Sequence, residues 1–321
     1  MYDDFDTLII SSPAACVLHV QINRPAKVNA MDAKFWVEFR QCFQLIAEDT
    51  AVRAVVVSGI GEHFSAGLDL ADTTNFDAIG AATKDVARRA FRFRKLALAM
   101  QESFSAVERC PQPVIAAIHG ACVGGAVDLA CACDVRLCSE DARFCIAEVK
   151  VGLAADVGTL QRMPKIVGNE SLCRELAYTG RTFGAVEAAA MGFVSRVVTA
   201  AAAGSSASVA VAVAPSRRAD VVDASLLTAS EIAKQSPVAV FGTKRNLMYA
   251  RDHSVGDGLE YAATWSGAAL QAGDLGTAMR AAAVGTSASS SRRNKNGGGT
   301  GAEGRAGAGA GAGLHPRFSK L

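Results

Sequence analysis

The stretch GGAVDLACACDVRLCSEDARFCIAEVKVGLAADVGTLQR, residues 124–162, decides the fold and sets three carboxylates among glycine-rich turns. Asp128, Glu148 and Asp156 lie in an otherwise apolar setting. An acid in such surroundings serves as a salt-bridge partner, as a helix cap or as a proton-transfer group. The choice among these roles decides what the protein does.

Each acid has a purely structural interpretation. Asp128 falls in the first turn of a predicted helix, where a negative charge stabilises the helix dipole. Asp156 directly precedes VGTLQR and is a candidate N-cap. Glu148 ends a predicted short strand and has Lys150 and Arg143 as candidate ion-pair partners. For each residue taken alone, the structural and the catalytic interpretation are about equally supported.

The elements predicted around this stretch alternate between buried strands and helices. Strands are predicted at 16–22, 54–58, 113–118, 134–138 and 143–147, and helices at 33–48, 84–109, 126–132, 157–167, 170–178 and 184–191. The strands AVVVS and PVIAAI lack polar alternation, as parallel strands covered on both faces do. From Ser225 to about Ala283 the pattern is helical. The fold class is therefore α/β.

Composition changes divide the 321 residues into four segments. We predict a core at 1–198, a low-complexity insertion at 199–222, a helical region at 223–285 and a flexible Gly/Ala-rich tail at 286–321. The tail carries a net charge of +5, so the rest of the chain carries −3 of the overall +2. A mildly acidic body is not the concentrated basic face that nucleic acid requires, and no nucleic-acid partner is expected.

The cysteines and the termini indicate a cellular compartment. The nine cysteines are odd in number, lie mostly in apolar runs and form no CxxC pair, which favours reduced core thiols over a disulfide framework or metal site. The acidic start MYDDFDTLII does not fit a signal peptide, and no apolar run reaches transmembrane length. The chain ends in Ser319-Lys320-Leu321, the peroxisomal import tripeptide. We therefore expect a peroxisome, or a related organelle of the glycosome type, with its import receptor as a partner.

Two glycine-containing turns follow buried strands. Phe64–Asp69 comes after AVVVS, and His119–Gly125 comes after PVIAAI and leads into a helix. Free amides at a helix start favour an anionic oxygen, and two converging amides would form an oxyanion hole suited to a thioester enolate. Taken alone, glycine after a strand is usually only a turn.

The motifs taken together resemble the crotonase (enoyl-CoA hydratase/isomerase) superfamily. The resemblance rests on Asn29-Ala30-Met31, FSAGLDL at 64–70, AAIHGACVGGAVDLACACD at 116–134 and AEVKVGLAADVGTLQRMPKIVG at 147–168, and it covers roughly 8–198 and 225–283. Hydratases of the superfamily use two glutamates at the positions of Asp128 and Glu148, with glycine at the position of Asp156. The combination in this chain is similar to that of the dienoyl-CoA isomerases.

This resemblance implies a spiral of ββα repeats, closed by a C-terminal helical region that mediates homotrimers or homohexamers. It implies isomerisation of 3,5-dienoyl-CoA to 2,4-dienoyl-CoA in unsaturated fatty acid β-oxidation, with no metal and no cofactor besides the coenzyme A of the substrate. By resemblance Asp156 is the base at C2, Glu148 is the acid at C6, and Asp128 sets the protonation of Glu148. The direction of proton transfer stays open.

The same resemblance assigns the binding groups. The oxyanion hole falls to the backbone amides of Leu68 and Gly125, and coenzyme A and substrate binding falls to Arg24, Lys27, Ala30, Ala66, Gly67, Leu68, Asp69 and Leu70. Two alternatives remain, a 2-trans-enoyl-CoA hydratase and a non-enzymatic acyl-CoA-binding or RNA-binding member. The basic run from Lys84 to Lys95 is the candidate RNA surface, although a solvated helix face explains it more simply.

Overall fold

Two β-sheets frame the N-terminal part of the chain in a computed structural model, which describes residues 2, 4–199, 217–281 and 318–319. The strands are β1 (Leu8–Ala14), β2 (Val17–Ile22), β3 (Ala54–Gly59), β4 (Val114–Ile118), β5 (Ala121–Val123), β6 (Val135–Ser139), β7 (Arg143–Cys145), β8 (Phe183–Gly184) and β9 (Arg196–Val198). The larger sheet has the order β1-β2-β3-β4-β6-β9, antiparallel only between β1 and β2. The smaller sheet has the order β5-β7-β8. Single bridges from Met31 to Leu68 and from Ser65 to Cys122 extend this layer.

Helices follow strand pairs along the chain. They are α1 (Ala33–Glu48), α2 (Thr74–Ala82), α3 (Val86–Arg109), α4 (Gly125–Ala132), α5 (Thr159–Ile166), α6 (Glu170–Thr179), α7 (Ala185–Ala190), α8 (Arg217–Ala233), α9 (Pro237–Ala250) and α10 (Val255–Ala269). The series β1-β2-α1, β4-β5-α4 and β6-β7-α5 repeats one ββα unit, with one strand of the later pairs in each sheet. The predicted spiral of ββα repeats is confirmed.

Helix α1 shows how sequence dictates an element and its packing. The Asp32 side chain accepts a hydrogen bond from the Phe35 amide at 2.8 Å and so caps the helix. Apolar residues at helical spacing bury one face, and the rings of Phe35, Phe39 and Phe43 follow one another at 5.0 Å. Phe104 of α3 meets Phe39 edge-on at 5.9 Å. This aromatic cluster fixes α1 and α3 beside the turns that follow β3 and β4.

The structure corrects the prediction at several places. Strand β1 and helix α2 were not expected, and β7 ends at Cys145, so Glu148 begins a short 3-10 turn, Glu148–Val151, rather than ending a strand. Helix α8 starts at Arg217, inside the segment predicted as insertion (199–222). The Arg218 guanidinium on this helix donates to the Gly59 carbonyl at 2.7 Å. Residues 200–216 lie outside the described part.

The chain divides into two compact units, residues 1–232 and 233–321. In the second unit, Phe241 of α9 meets Trp265 of α10 edge-on at 5.3 Å. Trp265 lies so close to Gly242 that a Cβ there would be 2.2 Å from its indole nitrogen. The predicted boundary at 222 falls within α8, so the helical region and the second unit do not begin at the same residue.

All nine cysteines are free thiols, and all except Cys16 are buried. Burial raises the pKa of Cys138 to about 12 and moves that of Cys42 and Cys131 upward as well. Cys16 lies in the turn between β1 and β2, at a positive φ of 61°. No helix in the described ranges is long and apolar enough to cross a membrane. Of the C-terminal tripeptide, Lys320 and Leu321 fall outside those ranges.

Candidate active site

The amides of Leu68 and Gly125 are the pair predicted to bind an anionic oxygen. In the bridge between Leu68 and Met31, the Met31 amide donates to Gly67 O at 2.7 Å and the Asp69 amide donates to Met31 O at 3.1 Å. Gly67 and Asp69, the residues on either side of Leu68, make both bonds to Met31. In a parallel bridge of this kind the N–H of the residue between them, Leu68, points away from Met31. Gly125 opens α4, where a helix leaves its first N–H groups without an intrahelical partner. Within the described ranges neither amide donates a hydrogen bond.

Gly67 lets these two amides converge. Its φ is +78°, and a Cβ on it would lie 2.9 Å from Gly125 N and 2.4 Å from Val123 O. No side chain fits there, so the backbone of the 66–70 turn lies directly against the start of α4. The two turns, which follow β3 and β4, thus meet at one corner, and we refer to it as the candidate oxyanion corner.

A buried hydroxyl and a buried amide hold the first of these turns. Ser65 Oγ donates to Asn29 O at 2.8 Å and accepts from the Gly67 amide at 3.0 Å. The Asn29 side chain donates to Ile60 O and to His63 O, each at 2.9 Å. Ser65 and Asn29 are both completely buried. Sequence analysis missed Ser65 as a functional residue, since its role depends on a contact with residue 29.

Asp128 is completely buried and lies close enough to Glu148 for their side chains to interact. Its Oδ1 accepts from the Thr159 amide, the first residue of α5, at 2.5 Å. Asp128 lies in the first turn of α4, as predicted, and it also accepts a hydrogen bond from the first amide of α5. Glu148 Oε1 lies 3.5 Å from the position of a Cβ on Gly124, the residue before α4. Both Asp128 Oδ2 and Glu148 Oε2 are buried and lack a hydrogen-bond partner among the described groups.

The ion pairs suggested for Glu148 do not form in the described structure. Lys150 donates to the Cys145 sulfur at 3.5 Å, and Arg143 donates to the Ala142 carbonyl at 3.0 Å. Glu148 therefore faces Asp128 without a neutralising cation. Burial, together with the Asp128 charge, raises its pKa to about 7. Burial also raises the pKa of Asp128 to about 6, although hydrogen bonding from Thr159 opposes the shift.

Asp156 does not cap a helix. The N-cap of α5 is Gly158, with no side-chain cap bond, and the Asp156 carboxylate has no hydrogen bond or ion pair within the described chain. Its backbone carbonyl accepts from Gln101 Nε2 at 2.7 Å, which ties the segment to α3. Asp156 is solvent-exposed, but its charge reaches both other acids and contributes to raising the pKa of each. The three predicted acids therefore form one electrostatic group.

A small pocket of about 10 Å³, enough for about one water molecule, lies beside the Leu68 turn. Its lining is mostly apolar and comes from α1, the 68–76 segment and α3, namely Met31, Ala33, Trp36, Leu68, Asp72, Asn75, Phe76, Leu96 and Met100. Leu68 lines this pocket and also supplies one of the two free amides.

The predicted coenzyme A residues lie along two adjacent segments, 24–30 and 66–70. The Ala66 amide donates to Val28 O at 2.9 Å and joins the segments. Arg24 Nη1 contacts Asp69 Oδ2 at 3.0 Å, and its Nη2 contacts Asp32 Oδ2 at 3.1 Å. Arg24 thus braces the loop, with its charge already paired. Of the remaining predicted residues, Lys27 and Leu70 are exposed, Gly67 and Ala30 are buried, and Ala66, Leu68 and Asp69 are half-buried.

With this geometry in place, comparison with known proteins defines the class. The chain matches the enoyl-CoA hydratase/isomerase family over residues 13–265, and it belongs to that family. A mitochondrial protein of Homo sapiens, named Delta(3,5)-Delta(2,4)-dienoyl-CoA isomerase, is 48% identical over 271 residues, which cover 84% of this chain and 77% of the relative. A peroxisomal protein of the same name from Arabidopsis thaliana is 40% identical, covering 85% of this chain and 92% of the relative.

Solved structures agree with the fold. The crystal structure of an enoyl-CoA hydratase from Bacillus anthracis superimposes with a TM-score of 0.72 at 25% sequence identity. The match covers 86% of this chain and 95% of the hydratase. The N-terminal spiral and the helices that follow it thus share the architecture of this enzyme family.

Proposed function

We propose that this chain is an isomerase that converts 3,5-dienoyl-CoA into 2,4-dienoyl-CoA in the β-oxidation of unsaturated fatty acids. The observation that carries the proposal is the third acid. Asp156 has no structural bond to explain it, yet it acts electrostatically on the buried pair Asp128 and Glu148. The names of the relatives from Homo sapiens and Arabidopsis thaliana support the same activity.

The oxyanion corner supplies the stabilisation that the reaction needs. The thioester oxygen would accept hydrogen bonds from the Leu68 and Gly125 amides, which have no other acceptor in the described chain. Loss of a proton from C2 leaves a dienolate whose charge spreads from this oxygen along the acyl chain. Preorganised amides stabilise that charge without reorganisation during the reaction. No metal or redox group is needed, because the thioester itself acidifies the proton at C2.

The two proton transfers fall to acids in different surroundings. Asp156 takes the proton from C2, and Glu148 delivers a proton to C6, so the substrate gains and loses one proton. A pKa of about 7 leaves the Glu148 carboxyl partly protonated at neutral pH, as a proton donor requires. The buried negative charge of Asp128 contributes to that pKa and is therefore the residue that tunes Glu148.

The substrate would lie across the two joined loops. Exposed Lys27 is free to meet a phosphate of coenzyme A, whereas paired Arg24 positions the loop. The acyl tail would pack against the apolar side chains beside Leu68, where the small pocket must widen to admit it.

The test is turnover of purified protein with a 3,5-dienoyl-CoA, followed by the absorbance of the conjugated 2,4-dienoyl product. Asp156→Asn is expected to lose most activity, whereas Asp223→Asn, at an exposed position of α8, is expected to keep it. The rival activity, hydration of 2-trans-enoyl-CoA, is measured in parallel because a structural relative is a hydratase. Rapid hydration without the diene chromophore would overturn the isomerase proposal. An unaltered Asp156→Asn variant would overturn the mechanism.

We propose a peroxisomal location and a homotrimeric or homohexameric assembly. The C-terminal Ser319-Lys320-Leu321 and the peroxisomal relative from Arabidopsis thaliana support the location, against the mitochondrial relative from Homo sapiens. A fluorescent protein fused to the N-terminus of this chain should accumulate in peroxisomes, and deletion of the tripeptide should abolish that import. Unchanged import after the deletion would contradict the role of the tripeptide. Sedimentation equilibrium of the purified chain decides the assembly.

A further inference from the structure

Arg162 on α5 lies between α3 and the turn that leads into α5. Its Nη2 contacts Glu108 Oε2 at 3.0 Å and Ser105 Oγ at 3.1 Å, and its Nε contacts the same Glu108 oxygen at 3.2 Å. Its Nη1 reaches Val157 O at 3.5 Å. The arginine side chain is 11% exposed and that of Glu108 is 15% exposed, so the pair is largely screened from water. A bonded guanidinium in this position joins α3 rigidly to the turn.

Gly158 allows this contact. A Cβ on it would lie 1.9 Å from Arg162 Nη1, and its φ of +140° is a conformation that side chains rarely adopt. The turn therefore has a glycine because the guanidinium lies directly over it. The next residue, Thr159, gives its amide to Asp128 Oδ1 at 2.5 Å. A continuous chain of contacts thus leads from Glu108 through Arg162 and the turn to the buried acid.

We propose that Arg162 is a positioning residue for the acid pair. It fixes the 157–159 turn, so that the Thr159 amide holds the Asp128 carboxylate against Glu148. This inference rests on the proposed function, since it assigns a purpose to the pair within that reaction. Arg162 itself touches neither acid by any hydrogen bond in the described structure, so it acts through the turn and through its charge.

The charges around Asp128 agree with this role. Glu148 and Asp156 face it from the segment that follows β7, the thiols of Cys122 and Cys131 lie on β5 and α4, and Arg162 faces it from α5. The arginine lowers the pKa of Asp128, against the effects of burial and of Asp156. Arg162 therefore favours a charged Asp128 and leaves the shared proton to Glu148.

The experiment compares Arg162→Gln, Arg162→Lys and Glu108→Gln with the wild type, and Arg174→Gln serves as control. Arg174 forms an exposed ion pair with Glu170 on α6. We expect Arg162→Gln to lower kcat by about tenfold or more, with KM within about twofold, because the acids lose their fixed geometry. Arg162→Lys retains the charge without the planar fork and is expected to recover part of kcat. Glu108→Gln is the second variant, in case Arg162→Gln folds poorly. It retains Arg162 but removes the charge of its partner, and we expect a smaller loss of kcat.

A readout independent of turnover is the carboxyl carbon NMR titration of Asp128 and Glu148. In Arg162→Gln the titration of Asp128 should move to higher pH by about half a unit or more, and in Arg162→Lys it should stay near that of the wild type. An Arg162→Gln variant with wild-type kcat and an unmoved Asp128 titration would overturn the inference. If the wild type lacks isomerase activity but the Asp128 titration still moves in Arg162→Gln, the positioning role is supported and the proposed reaction is refuted.

Discussion

Replacing Ser65 by alanine removes one oxygen atom from beneath the turn that presents the Leu68 amide. That oxygen donates to Asn29 O at 2.8 Å and accepts from the Gly67 amide at 3.0 Å. Ser65 is completely buried, so water cannot replace the lost partner. Both Asn29 O and the Gly67 N–H then lose a hydrogen bond, and the Gly67 N–H belongs to the residue just before the oxyanion amide.

The size of the effect follows from how the turn is held. Three hydrogen bonds tie Gly67 and Asp69, the two residues that flank Leu68, to Met31 and Ser65. They run from the Met31 amide to Gly67 O, from the Asp69 amide to Met31 O and from the Gly67 amide to Ser65 Oγ. Complete loss of an oxyanion donor costs about 2.7–4 kcal/mol in the transition state. Removal of one restraint in three should cost about one third of that, roughly 1 kcal/mol or a five- to tenfold lower kcat. Stability should fall by about 1–3 kcal/mol for a buried donor left without a partner.

The assay is steady-state turnover of a 3,5-dienoyl-CoA, combined with urea unfolding. The control is Ser225→Ala in α8, another completely buried hydroxyl, which donates to Val221 O at 2.7 Å within its own helix. It should lose stability but keep kcat. A Ser65→Ala variant that unfolds at lower urea with unchanged kcat would show that the turn holds the Leu68 amide without this hydroxyl. The oxyanion argument would then be refuted.

Three further outcomes follow from the site. In Asp128→Asn the charge that raises the pKa of Glu148 is absent, so the alkaline limb of the pH–rate profile should move to lower pH; an unmoved limb would contradict the tuning role. The folded-state pKa of Glu148 is raised from 4.5 to about 7, so the wild type should lose stability as pH rises through that interval. Urea unfolding of Glu148→Gln across the same range should lack this loss, and an identical pH dependence in both proteins would disprove the shift. Met100→Trp should prevent the small pocket beside Leu68 from widening and should lower kcat/KM more for long-chain than for short-chain dienoyl-CoA. An equal loss for both substrates would show that the acyl tail does not pass this pocket.

Elements with a strong local signal were predictable from the sequence. Strands β3 and β4 are continuous apolar runs, and every residue in them is buried. Helix α1 combines a capping aspartate with aromatic residues at helical spacing. Strand β1 lacks such a signal, because it lies at the sheet edge, is largely exposed and contains two serines and a proline. Strand β5, with three residues, is too short for any periodicity.

In the site, the residues proposed to do the chemistry were predictable from the sequence, whereas the residues that position them were not. Asp128, Glu148 and Asp156 were found together because acids among glycines and apolar residues are unusual. Ser65 and Arg162 have no such signal, since a serine in a turn and an arginine on a helix are ordinary. Their roles come from contacts with residues 36 and 54 positions earlier in the chain. Only the folded structure brings those partners together.

The distribution of the cysteines has a practical consequence. Reagents must reach a thiol to modify it, so burial protects eight of the nine from alkylation and from peroxide. Cys16, in the β1–β2 turn, is the partly accessible one. A maleimide dye should therefore attach at this single position in the unmodified sequence. The protein thus comes with its own attachment point for fluorescence work, at the sheet edge and away from the acids.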